Sequence, residues 1–248
     1  MKRYLKLKYL PLGTLILSLV VYMLRTVLWI SAIGAEDGRL LPAGTWPDTL
    51  SWIVVGVTMA FLAVATWNLR GATKYSYNFP ASIPAAIGMV LAGVGFCITS
   101  AVDLSAGTDS IGTTSVVLGF LAAGALAYLA YARIKGIRLS VVFHGIVCLY
   151  LMLHLISHYR LWSSFPQLQT YAFELLAIVF VMLACYHRTA FDAGKGNRRA
   201  YTLFSLAALF FCVATLPGCD NAAFFIGCAA WMYTTPCRLT HAYRGDEQ

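Results

Sequence analysis

Apolar residues along this chain gather in long blocks, with neither the period-two alternation of a half-buried strand nor the narrow stripe of a soluble helix. Eight blocks are visible, at about 9–33, 50–69, 81–104, 113–134, 139–159, 170–186, 200–216 and 222–235, each bounded by a polar, basic or glycine-bearing link. A helix needs ~17–25 predominantly apolar residues to cross the hydrocarbon of a bilayer. The pattern therefore predicts an all-α, polytopic integral membrane bundle of eight transmembrane helices. The last two blocks sit near the short limit and are joined only through Pro217, Gly218, Cys219 and Asp220. For that pair a partly re-entrant hairpin competes with two full spans.

Two blocks carry a finer pattern. In the third, Ala85, Gly88, Ala92, Gly95 and Thr99 recur at intervals of three and four, a small-residue ridge on which another helix can approach closely. Packing within the chain, or docking of a protein partner through small-residue helix faces, is expected there. In the first, Thr14, Ser18, Tyr22, Arg25 and Trp29 share one face, spaced like a seam between helices.

Composition strengthens the membrane reading. Sixty per cent of the residues are apolar and 11% are charged, with a mean hydropathy of +0.73, against ~25% charged in soluble domains. No polar stretch is long enough to fold alone, so residues 1–248 read as one transmembrane domain. The basic start, Lys2, Arg3, Lys6 and Lys8, resembles that of a signal peptide, but the apolar block behind it is too long and is interrupted by Arg25. It is expected to remain as the first span.

The net charge of +8 changes the picture only through its placement. If eight spans alternate, every lysine and arginine except Arg25, Arg39 and Arg160 falls on one side of the membrane. Under the positive-inside rule that side is cytoplasmic, which puts both termini there and predicts a multi-pass protein of the cell membrane. The basic links form no stripe or tail suited to nucleic acid. The lipid bilayer is the expected partner, with the link at residues 194–199 meeting anionic headgroups. Seven cysteines contain no CxxC pair and lie mostly inside apolar blocks, as free thiols packed like small apolar groups would; Cys219, in a polar turn, is the exception.

Candidate chemistry concentrates in the fifth and sixth blocks. His144, His154 and His158 lie within about 80° on one helix face at ~100° per residue, and Glu174 follows in the next block. Ionisable groups inside spans usually face the bundle interior, because lipid exposure is expensive. Depth along the predicted helices brings Arg25, Asp103, His154, His158, Arg160 and Glu174 to the outward side, where Arg25 and Glu174 are the natural ion pair. His144 lies toward the cytoplasmic half and reads as a core histidine.

Several chemistries fail on the pattern. The run at His154 is HLISH, which lacks the glutamate of a metalloprotease helix. A metal ion is conceivable at His154 and His158, one turn apart, only with a third ligand from Glu174 or Asp103. Haem wants histidines facing one another from two helices, and a retinal Schiff base wants a lysine within a late span; neither is present. No phosphate-binding loop occurs, and no motif selects a catalytic residue. The expectation is a small-solute transporter or solute-binding membrane component, with an outward-facing polar pocket for an anionic or zwitterionic solute. Rival readings are a non-catalytic structural or sensory subunit of a membrane complex and a metal-dependent membrane enzyme. No cofactor beyond that metal ion is expected.

Overall fold

A computed structural model describes residues 9–33, 45–67, 69, 78–107, 110–162 and 171–236. The basic start at 2–8, the loop holding Arg39, the residues Asp109 and Cys237, and the acidic pair Asp246 and Glu247 lie outside the described residues. Among the described residues eight helices follow one another: α1 Leu10–Ile33, α2 Trp46–Trp67, α3 Ile83–Ala106, α4 Ser110–Lys135, α5 Val141–Trp162, α6 Ala172–Asp192, α7 Arg198–Ala214 and α8 Ala222–Thr234. Each predicted block is a helix. Six of them, α1 to α6, are long and apolar enough to cross a membrane.

The boundaries move for local reasons. α2 begins four residues before the predicted block, because Pro47 suits a first helical turn and Asp48 sets a carboxylate against the exposed N–H groups. At α3, Ser82 accepts a hydrogen bond from the Ala85 N–H at 3.4 Å, with proline in the first turn. The largest correction is at α6, predicted to end near Tyr186. It runs on through Asp192 and stops where Gly194 adopts φ 79°, a left-handed conformation that glycine alone takes without strain. Residues 187–192, beyond the predicted block, are therefore the last helical turn and a half.

On α1 and α2 burial departs from that of a soluble bundle. On α2 the inward stripe is Ser51, Val55, Thr58, Leu62 and Ala65, while Leu50, Ile53, Val57, Phe61 and Val64 point outward. Small and polar side chains thus pack inside and large aliphatic ones face out, as lipid solvation requires. On α1 the same rule buries Thr14, Ser18 and Arg25 and exposes Ile16, Met23, Val27 and Ile30. Tyr22 and Trp29 of the predicted seam are partly buried.

Six helices close a ring in the order α3, α4, α5, α6, α7, α8, with α8 returning to α3; the α1–α2 pair packs against α7. The ridge on α3 is the closing seam. A Cβ on Gly95 would stand 2.6 Å from the Ala223 carbonyl, one on Gly88 2.9 Å from that of Ala230, and one on Gly227 2.7 Å from that of Leu91. Those pairings run in opposite directions, so α3 and α8 are antiparallel. Surrounded by α1, α2, α6 and α8, α7 buries 13 of its 17 residues.

The helices alternate in direction. At one end, Leu10 of α1, Leu62 of α2, Phe79 ahead of α3, Phe191 of α6 and Tyr201 of α7 share an apolar cluster. At the other stand Arg25, Asp103, His158, Glu174 and the α7–α8 turn. These are called the Asp192 end and the Glu174 end.

Candidate functional site

At the Glu174 end, apolar helices turn ionisable side chains toward one another. Arg25, buried at 6% exposure, comes from α1; its guanidinium carbon lies 4.2 Å above the Phe173 ring of α6, a cation–π contact. Its charge also interacts with those of Glu174 and Asp48. Glu174 interacts in turn with Asp220 as well as Arg25, Asp220 with His158, and His158 with His154. A line of ionisable groups thus leads from exposed Asp220 into the bundle. The described residues contain no direct Arg25–Glu174 ion pair; the guanidinium rests on Phe173, with Glu174 near enough to act through its field.

The inner end of that line is compact. His154 and His158 stand one turn apart on α5 with ring centres 4.2 Å apart. Asp103, from the last turns of α3, completes a group whose three potential donor atoms lie within 4.8 Å of one another. His154 is 2% exposed and walled by Tyr150 at 5.5 Å and Phe224 at 4.9 Å between ring centres; its Nδ1 has no hydrogen-bond partner. The ring closure carries this geometry, since the α3–α8 seam brings Phe224 across from α5.

Of the six side chains singled out from the sequence, Asp103, His154 and His158 come within 4.8 Å of one another, while Arg25 and Glu174 act on each other through their charges. Arg160 is exposed at the end of α5, about 200° round the helix from His158. Asp220 joins them without having been singled out. Its signal was its place in the tight turn, where Gly218 at φ 77° lets Trp29 of α1 pack onto the backbone. In the same turn, burial and the nearby Glu174 charge push the Cys219 thiol up to about 12.

The Asp192 end holds a second polar group that the sequence reading treated as solvated loops. Arg133, Arg188 and Arg198 are buried. Arg188 lies 3.4 Å and Arg133 5.2 Å over the ring of Phe79, which also meets Phe191 and Tyr201 edge-on. His144 Nδ1 stands 2.7 Å from the Asp192 carboxylate, an ion-pair separation without hydrogen-bond alignment, and the histidine is buried as its position suggested. Arg138 donates to the Asp192 carbonyl, and Arg199 Nε to the Leu69 carbonyl at 2.6 Å. Hydropathy alone misses such a group, because a charge at a block's edge looks the same whether its helix stops or continues.

A separate apolar groove of about 500 Å³ between α5 and α6 is lined by Cys148, Leu149, Met152 and Met182 among others. It opens among outward-facing aliphatic side chains and offers no charge to a polar solute. Searches against known protein families, curated proteins and solved structures match nothing to this chain.

Proposed function

We propose that all eight helices cross the cell membrane with both termini cytoplasmic, and that the Glu174 end is an outward-facing site for a small solute, as in a transporter or solute-binding component. The alternating helix directions support the topology. So does charge: Arg133, Lys135, Arg138, Arg188, Lys195, Arg198 and Arg199 all belong to the Asp192 end, the cytoplasmic side under the positive-inside rule. The 17 and 13 residues of α7 and α8 reach only ~26 and ~20 Å at 1.5 Å each, short of a ~30 Å hydrocarbon core. Length matters most where a helix meets lipid. These two are enclosed by longer neighbours, so they need not match the bilayer.

One observation carries the solute reading: Arg25 and Glu174, of opposite charge and from separate apolar helices, turn inward to one neighbourhood. Asp48, Asp103, Glu174 and Asp220 outnumber Arg25 and Arg160 among the described residues at this end. That excess disfavours a purely anionic solute. A zwitterion fits, its carboxylate on Arg25 and its cationic group toward Glu174 and Asp220. Arg25→Ala is expected to weaken binding about 10- to 100-fold, the equivalent of one charge-assisted hydrogen bond, and Arg25→Lys to restore part of it. The measurement is the solute-dependent thermal shift of detergent-purified protein across a panel of small zwitterions. A wild-type protein that no zwitterion stabilises, or variants that aggregate whatever the substitution, would leave Arg25 as a packing residue.

A further inference from the structure

We infer that Asp103, His154 and His158 form a binding site for one divalent transition-metal ion of borderline softness, zinc first among them. The donor set is the first argument. Two imidazoles and a carboxylate suit zinc or ferrous iron, whereas calcium and magnesium want oxygen ligands alone. Spacing is the second. Histidines one turn apart on a helix present two nitrogens to the same side, and Asp103 meets them from α3.

The span fits with a small contraction. Donors ~2.0–2.1 Å from a tetrahedral ion stand ~3.3 Å apart, and the three here already lie within 4.8 Å of one another. That contraction falls to side-chain rotation in the last turns of α3 and α5. His154 supplies the independent observation. It is 2% exposed and its Nδ1 has no hydrogen-bond partner. A buried polar atom left unsatisfied costs stability, and an ion at this position would satisfy it.

The surroundings also suit a metal. Tyr150 and Phe224 wall His154 on its apolar sides, which keeps bulk water from competing for the ion. Asp220 acts on His158 through its charge. Three protein donors leave a tetrahedral ion one position for water or a solute atom. The site stands on its own residues and does not require Arg25 to bind anything.

The test uses the full chain, purified in detergent through a tag without histidine. Elemental analysis is expected to find about one zinc or iron per chain. After stripping, titration with Co²⁺ is expected to give the visible absorption of a nitrogen- and oxygen-ligated ion, saturating at one equivalent. His154→Gln/His158→Gln should lose both signals. Asp103→Asn, which keeps the side chain's shape, should weaken Co²⁺ binding at least tenfold while the protein stays monodisperse. Arg25→Ala should keep its metal, so failure of the solute reading and of the metal site remain distinguishable. A wild-type chain that carries no transition metal and gives no Co²⁺ absorption overturns the inference, as does full metal content in the double histidine variant. Should that variant not fold, the wild-type titration and Asp103→Asn decide.

Discussion

His144 and His154 lie ten residues apart on α5, both buried, in different chemical surroundings. His144 faces the Asp192 carboxylate, and its backbone carbonyl accepts the Cys185 thiol at 3.6 Å. That contact belongs to structure. Removing one member of a buried polar pair strands the other, at a cost of ~3–5 kcal/mol where the stranded group is charged. His144→Leu, which strands the Asp192 carboxylate, is thus expected to lower stability by about that much, read from the unfolding midpoint in a denaturing-detergent titration. His144→Leu/Asp192→Leu should recover a large part, because neither partner is then left alone. A double variant as unstable as the sum of its singles would mean that the two do not support each other. The pattern of apolar blocks already gave His144 a core place. Asp192 as its partner was not legible, since the sequence reading ended α6 six residues before it.

Glycine decides how the closing helix seats. Along α3 and α8, carbonyls sit where a side chain would otherwise stand: Ala223 at 2.6 Å from a Cβ on Gly95, and Leu91 at 2.7 Å from one on Gly227. Backbone in the way cannot rotate aside, so Gly95→Val must push the helices apart. A loss of ~1–3 kcal/mol, the usual effect of overpacking a core, is expected in the same titration. Gly124→Ala, with nothing within 4 Å, should leave the midpoint unchanged. The ridge was visible in the sequence as spacing. Which helix fills it was not, because α8 lies more than a hundred residues along the chain and any close-packing helix satisfies the same pattern.

At the scale of the molecule, alternation of eight helices makes a prediction about the α7–α8 turn. If both helices cross, residue 221 faces the outside; if the pair is re-entrant from the Asp192 end, it faces the interior of the membrane. Native Cys219 is a poor reporter, since a thiol pushed up to about 12 holds almost no thiolate near neutral pH. Asn221→Cys, made with the native cysteines replaced, should react with a membrane-impermeant maleimide added to intact cells. Reaction only after the membrane is opened would remove α7 and α8 from the spans.

The order of apolar blocks by itself determined the helix count, the helical class and the separation of basic from acidic links, because desolvating backbone in a bilayer admits few alternatives to the helix. It also assigned six ionisable residues to one end, since depth is only distance along a helix. Rotation about each helix axis and the choice of neighbours were left to the tertiary structure. Those two degrees of freedom left Arg160 exposed, buried Arg133, Arg188 and Arg198 with the first two over Phe79, and set Asp103 beside His154 and His158. A one-dimensional pattern fixes which residues are apolar, but lateral contacts between distant segments decide which polar ones meet.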